Sequence, residues 1–490
     1  MRKPLCRILR SALFLAILVL LLAFTNKVLE PKYFITNSTW PTTSTYRQFY
    51  EMEKNSVDVL FLGSSVAVNA FSPQEVYNFS GIRSYNLASE QQSVFLSYWW
   101  LKEALRFQSP QAVVLDTRFL FEEHFENPVN TTEELTRKCL DPMRWSKVKR
   151  QAVSELCAID TAQSELSYYL TNIRFHARWS ELTEHDLVLK EAQHSPLKGF
   201  GPIAEYGSPA FAPFTPSGGS DAFLDMHPVM LTYLDRMAEL CRENGIALIL
   251  VSLPGNAMND GIHNTLTAYA SEHAGVDYYN YCSAELFDAI GAMPPRENVV
   301  EHQNLWGAMK TSRAVASLLR DVYQVQPASD AQYESTKPYY EHILKNCELP
   351  HIAGLTEYLS ALRDGQYTVF LSVREEGSSG LTEEMLSALH ALGLEADLTG
   401  KNGWSYSAVI SPENGVSELL QPGSEAVLRG SMRNRKTFYT VSSGGFLAGA
   451  SSSIRIDDKE YSRNGNGFNI VVYDNELMKV VDSRSFNPDV

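Results

Sequence analysis

The chain has 490 residues, 57 of them Asp or Glu and 42 Lys or Arg, for a formal charge of −15. That balance excludes a basic nucleic-acid footprint as the main design, while 44% hydrophobic and 20% charged residues allow real cores over two or three domains. Cys6, Cys139, Cys157, Cys241, Cys282 and Cys347 are widely spaced with no CxxC, which points neither to a zinc knuckle nor to a dense disulfide scaffold, and no metal or cofactor is expected.

Arg2, Lys3, Arg7 and Arg10 precede an uncharged run, 11–26, built on LFLAILVLLLAF, and Lys27, Glu30 and Lys32 follow it. The basic end is expected to stay in the cytoplasm. Sixteen residues rising ~1.5 Å each reach roughly 24 Å, so crossing a ~30 Å hydrocarbon core requires Arg10 and Lys27 to snorkel to the two interfaces. A signal peptide competes with an anchor, but Ala23-Phe24-Thr25 fits a cleavage site poorly, and residues 1–30 read as an uncleaved, single-pass signal anchor in the cell membrane. Cys6 precedes the apolar run and is no lipoprotein cysteine. The bulk of the chain is then extracytoplasmic, and its substrate belongs to envelope or matrix material.

From 57 to about 325, short apolar strands alternate with periodic helices, the mark of an α/β fold with a parallel sheet covered on both faces. Strands are expected at 57–62 (VDVLFL), 84–87, 112–115 (AVVL), 247–253 (ALILVSL) and 276–279. Val94, Tyr98, Leu101 and Leu105 fall at helical spacing, as do Leu231, Leu234, Met237 and Leu240 in a helix closing at Gly245, and 308–323 makes a last helix. Residues 121–220 lack strand pattern and read as an insertion with a mobile Pro/Gly/Ser exit, PIAEYGSPAFAPFTPSGGS. A polar linker is expected at 326–345, beginning with QPASDAQYESTK. Beyond it, strands at 367–373, 408–410, 438–441, 453–456 and 469–473, separated by turn clusters, with one helix at 382–392 closed by Gly393, make a second, strand-rich domain.

The first exported strand ends in Gly63-Ser64-Ser65, and Gly63 permits the tight turn that lets a serine stand out at the sheet edge. A serine in this position also serves simply as the N-cap of the next helix. The second signal is His302-Gln303-Asn304-Leu305-Trp306-Gly307-Ala308 at the start of the last helix. Ser65, Asn86, Asp116, Pro254-Gly255-Asn256 and His302 each follow a strand, so a parallel sheet collects them at its carboxyl edge, where the crevice forms. Serine becomes nucleophilic near neutral pH only when an imidazole takes its proton, and the resulting oxyanion needs preorganised N–H donors. The Ser65 amide and the Asn86 side chain are the donors expected here.

These stretches resemble the SGNH/GDSL hydrolases, in particular membrane-anchored members such as the D-alanyl transfer protein of teichoic-acid systems and the alginate acetylation proteins. The similarity lies in FLGSSVAVNAFSP (61–73), SYNLASEQQS (84–93), SPQAVVLD (109–116), LILVSLPGNA (248–257) and HQNLWGAMKTS (302–312). It implies a flavodoxin-like sheet over 45–325, Ser65 as nucleophile, His302 as general base, Asn304 in the substrate region, and O-acyl transfer or ester hydrolysis on an exported glycan or polysaccharide. It also implies a multi-spanning membrane-bound O-acyltransferase as partner. Where that family carries an Asp three residues before the histidine, this chain has Val299, which leaves Glu301, Glu297 or Asp116 to orient the imidazole. Within the insertion, Arg174, His176, Arg178 and Trp179, and likewise Lys198-Gly199-Phe200, could line a sugar or acyl groove or form a solvated face.

The run GGFLAGASSSIRIDDKEYSRNGNGFNIVVYD (444–474), with YTVFLSVREEGSSGLTEEMLSALHALGL (367–394) and WSYSAVI (404–410), resembles the interleukin-like EMT inducer domain, or GG domain. The resemblance implies a β-rich α+β sandwich over 346–490 with a carbohydrate-binding rather than catalytic role. Trp404 and Tyr406 are the candidates for stacking on a sugar ring, and Asn464, Asn466, Asn469 and Asp474 for bonding its hydroxyls, with core packing and a simple turn as the alternatives.

Overall fold

The computed structural model describes residues 2–31, 43–121, 128–187, 196–205, 213–255, 257–291, 297–299, 301–363, 365–433 and 435–489. The chain divides into two compact units, Met1–Glu341 and His342–Val490.

The N-terminal helix α1 (Arg2–Leu29) contains a stretch, Arg7–Leu29, of 23 residues that is long and apolar enough to cross a membrane, about 34 Å at 1.5 Å per residue. Five parallel strands follow: β1 (Val59–Leu62), β2 (Ser84–Asn86), β3 (Ala112–Asp116), β4 (Ala247–Ser252) and β5 (Val276–Asn280), in the spatial order β2-β1-β3-β4-β5. The chain therefore winds outward in both directions from β1 and β3, whose carboxyl ends flank the switch point of a doubly wound sheet. Alternation along each strand builds two cores. Leu60, Leu62, Val113, Leu115 and Leu250 pack on one face with Trp99 and Trp100 of helix Val94–Ala104, while Val59, Phe61, Val114 and Val251 pack on the other with Val66, Val315 and Leu319.

Two helices carry chemistry or frame it: the short α2 (Ser65–Ala70), directly after β1, and the long α3 (Leu305–Asp321), which closes the sheet's second face. A two-residue hairpin, β6 (Asn298–Val299) with β7 (His302–Gln303), delivers His302 just ahead of α3 and sets it in register with Val299. Much of the expected insertion is short helices rather than strand; residues 197–203, just ahead of most of its Pro/Gly/Ser exit, are largely buried, whereas 213–220 within that exit are mostly exposed. The Pro/Gly/Ser exit lies partly outside the described residues, at 206–212.

The segment expected as a polar linker folds instead onto the first unit through 341. Tyr333 is fully buried with its hydroxyl donating to the Ser84 carbonyl, Arg83 pairs with Asp330 at 3.7 Å, and helix α4 (Lys337–Glu348) runs on past the boundary. Two buried aromatic anchors, Tyr333 and Tyr340, outweigh the polar composition around them.

The second unit is a pair of antiparallel sheets. Strands β8 (Tyr367–Arg374), β9 (Ser405–Ser411), β10 (Gly415–Gln421), β15 (Gly467–Asp474) and β16 (Lys479–Phe486) stand in the order β10-β9-β8-β15-β16. The other sheet is β11 (Ala426–Met432), β12 (Thr437–Gly444), β13 (Ser451–Ile456) and β14 (Lys459–Glu460). Phe370, Val409, Val441, Ile454 and Val471 fill the space between the sheets. Leu371, Tyr406, Phe468 and Ile470 face the other way, onto helices Leu355–Ala361 and α5 (Glu383–Ala391).

Candidate functional site

Gly63 turns the chain sharply at the end of β1. Its φ is +132°, and a Cβ there would lie 2.6 Å from the Asp116 Cβ, so only glycine lets β1 and β3 end this close together. Asp116, 2% exposed, uses that proximity: its carboxylate accepts from the Ser64 amide at 3.3 Å, from the Ser64 hydroxyl and from the Arg118 amide at 3.1 Å. Ser64 is the N-cap of α2, its hydroxyl accepting from the Val66 amide at 3.2 Å. The capping role thus falls to the first serine of the pair, and Ser65 becomes the first helical residue, one whose amide has no intrahelical acceptor.

The Ser65 Oγ lies 2.9 Å from the His302 Nε2, a contact between residues 237 apart in sequence. Ser65 is 8% exposed and His302 half-buried. Burial lowers the His302 pKa from its ordinary value, and the Arg118 guanidinium lowers it further, against the opposing charges of Glu301, Asp116 and Glu90. The ring is therefore neutral at neutral pH, the state in which it accepts a proton.

Of the carboxylates considered for orienting the imidazole, Glu301 is 57% exposed and pairs with Arg118; it reaches His302 through its charge. Glu297 pairs with Lys310 at 2.7 Å, and Asp116 is the lock on the serine turn. Arg118 is the residue the sequence reading missed. It stands two positions beyond Asp116 at the same strand end, and that spacing is the signal that placed it at the edge.

Two expected site residues are structural instead. The Asn86 amide, fully buried, donates to the Ala67 carbonyl at 2.8 Å and to the Phe71 carbonyl at 2.9 Å, while its oxygen accepts from the Ala88 amide. Both N–H groups hold the ends of α2, which removes Asn86 from the oxyanion donors. Asn304, also fully buried, caps α3 by accepting from the Gly307 amide at 3.2 Å and donates to the Glu205 carbonyl. Both residues nevertheless shape the site, because residues 197–205 are stitched between the two helices. Asn69 donates to the Gly201 carbonyl at 2.6 Å, the Leu305 amide donates to the Ile203 carbonyl at 2.8 Å, and the Asn86 amide donates to the Lys198 carbonyl at 3.0 Å. Gly199, at φ +90°, lies so close to the Asn86 carbonyl that a Cβ would fall 1.9 Å from it. The Lys198 side chain does not line a groove: burial drives its pKa down to about 8, and its Nζ donates to the Thr336 hydroxyl at 2.9 Å.

Within 172–179, Arg178 donates to the Leu29 carbonyl at 2.6 Å and pairs with Asp186, Arg174 pairs with Glu133, and Trp179 is exposed. In the second unit, Tyr406 is 2% exposed, packed in the core with its hydroxyl on Glu418, and so offers no face to a sugar. Trp404 is half-buried with the Lys401 Nζ 4.7 Å from its ring centroid. Asn469 ties the Gly465 turn through its amide, and Asp474 is fully buried against His342 at 2.6 Å and Asn346 at 2.7 Å.

No protein-family model matches the chain, and no curated protein matches it.

Proposed function

We propose that the chain is a membrane-anchored, extracytoplasmic serine O-acyltransferase or esterase of SGNH type, acting on a cell-envelope or exported polysaccharide. The observation that carries this reading is the 2.9 Å contact of the Ser65 hydroxyl with the His302 imidazole at the carboxyl edge of a doubly wound sheet. In the tautomer with the proton on Nδ1, the Ser65 hydroxyl donates to Nε2. As Oγ attacks an ester carbonyl, that proton passes to His302, and the oxyanion forms beside the Ser65 amide. Collapse expels the alcohol, which takes the proton back from His302, and leaves an acyl-serine. A glycan hydroxyl, or water, then attacks the acyl carbon with His302 again as base, which releases the acylated glycan or the free acid and restores Ser65. Burial, and after it the Arg118 charge, favours the unprotonated imidazole between turnovers.

The basic residues Arg2, Lys3, Arg7 and Arg10 in the first turns of α1 support an orientation with the bulk of the chain outside, where such a glycan and a membrane-bound acyl donor system are accessible. The second unit, as an interleukin-like EMT inducer module, would hold the glycan, and Trp404 rather than Tyr406 is its ring-stacking candidate.

A second reading is a non-catalytic glycan-binding or assembly protein. It is favoured by Val299 at the family's acid position and by the engagement of Glu301 with Arg118, since losing the orienting carboxylate of a comparable triad costs about 10⁴ in kcat. Fluorophosphonate labelling separates the two. The wild-type chain is expected to label and to hydrolyse an acetyl ester, and Ser65→Ala to lose both. Wild-type protein that neither labels nor turns over, beside a reactive control esterase, decides for the binding protein.

A further inference from the structure

Helix α1 is exposed all round from Arg7 to Thr25 and becomes covered only at its last turn, where Val28 is 6% exposed. That last turn is gripped by one short stretch of the first unit. The Asn172 side chain donates to the Thr25 hydroxyl at 2.9 Å, the Asn172 amide to the Asn26 side-chain oxygen at 2.9 Å, and Arg178 to the Leu29 carbonyl. If α1 crosses a bilayer, the hydrocarbon ends near Thr25, and the residues bonded there stand at the level of the lipid headgroups.

This side of the first unit carries a concentration of apolar side chains with nothing from the described residues over them. Trp179 is 72% exposed, Leu187 61%, Leu166 55% and Ile173 44%, and Trp145, 50% exposed, stacks on Tyr169 with ring centroids 4.9 Å apart. All but Trp145, which stands earlier in the chain, come from the short helices Glu165–Tyr169, Asn172–Phe175, His176–Ser180 and Glu184–Leu187, of which the last three pack directly on α1. Exposed apolar residues gathered in this way mark a surface that is covered in use, and tryptophan and tyrosine with aliphatic neighbours are the residue types that settle at the boundary between headgroups and acyl chains.

We propose that residues 165–187 form a membrane-resting layer. Beside the exit of α1, on the side where the bulk of the chain lies, they dip Trp179, Leu187, Ile173 and Leu166 into the phospholipid surface. The proposal rests on α1 spanning that membrane. The occupant is lipid, because the layer is hydrogen-bonded to the one element of the described chain that only a bilayer would cover.

The test uses the full-length chain in phosphatidylcholine vesicles, with Cys6→Ser and Cys157→Ser and a single fluorophore attached in turn at Leu15→Cys, Trp179→Cys or Leu187→Cys. The dye is NBD, which shifts to the blue in apolar surroundings. Leu15, in the middle of α1, is expected to lose emission to lipids carrying a nitroxide deep in the acyl chain. Positions 179 and 187 are expected to lose it to a nitroxide near the headgroup and to be shielded from aqueous iodide. If position 15 is quenched by lipid while 179 and 187 stay open to iodide, the anchor stands and the resting layer is wrong. Shielding of 179 and 187 without any nitroxide quenching assigns the surface to a second copy or another protein, and also overturns the proposal. No lipid quenching at all three positions overturns the membrane span itself.

Discussion

His302 sits between a cation and an anion that pull its proton affinity in opposite directions, and the balance has a measurable sign. Burial and Arg118 hold the pKa below the ordinary histidine value of about 6.5, so the acid limb of kcat/KM on an acetyl ester is expected to have its midpoint below that pH. Arg118→Gln removes a lowering influence and is expected to move the midpoint up; Glu301→Gln removes a raising one and is expected to move it down. Midpoints that stay put in both variants assign the limb to another group. Asn86 allows an equally sharp distinction. Asn86→Ala takes the bonding partner from the buried Phe71 carbonyl and from the Ala88 amide, at about 1–3 kcal/mol each, so the chain is expected to lose thermal stability of that size in a melting experiment. A selective loss of kcat at unchanged stability would instead return Asn86 to the oxyanion site. Ser65 could be singled out from sequence because it directly follows a strand of the parallel sheet, and His302 because it stands just ahead of the last helix of the first unit; the antiparallel hairpin that carries His302 was not expected. The Asp116 lock was not, because the closeness of two strand ends is a property of the folded sheet.

The strands of the first unit were readable because they are buried on both faces: AVVL and ALILVS are runs that need no alternation to be recognised. Strands β10, β11 and β16 escaped for the opposite reason. GVSELLQ forms a sheet edge without a single buried side chain, AVLRGSM buries only its two ends, and KVVDSRSF pairs only along one side at the opposite edge, so none shows a full apolar face. Asn304 looked like a substrate ligand because it sits in a motif, yet a residue immediately before an apolar helix is equally a cap. Asn304→Ala is accordingly expected to cost about 1 kcal/mol or more in denaturant unfolding, whereas Asn304→Ser, which keeps an acceptor, should recover much of it. At the head of β1's successor helix the same logic predicts that Gly63→Ala lowers the melting temperature, since it adds both an unfavourable φ and a clash with Asp116. Retention of full stability would mean that the two strand ends can separate.

The second unit has its own dependence on pH, set by a buried pair rather than by its sandwich. His342 on α4 meets Asp474 on β15; the bond to Asp474 raises the histidine above its ordinary value, and although burial pushes the Asp474 carboxyl up, hydrogen bonds from His342, the Leu477 amide and Asn346 bring it below the usual range. The histidine's contribution is complete below about pH 6.5 and fades as pH rises through its elevated folded value, while the aspartate's is complete above about pH 4 and fades as pH falls through its depressed one. Unfolding of this unit followed between those limits is expected to show a stability plateau, and His342→Ala, which takes away one charged hydrogen bond but leaves those from Asn346 and the Leu477 amide, to remove about 1.5–3 kcal/mol of it. A flat profile extending to alkaline pH would exclude the charged pair. The grip on α1 bears on how the protein can be handled at the bench. Cutting the gene after codon 30, the obvious route to a product without the apolar helix, would delete the Leu29 oxygen that receives Arg178 and both acceptors of Asn172. The shortened product would shed its greasy tail and at the same stroke lose three stitches in its own wall, so a tag placed ahead of an intact leader, with detergent throughout, is the preparation that leaves this corner whole.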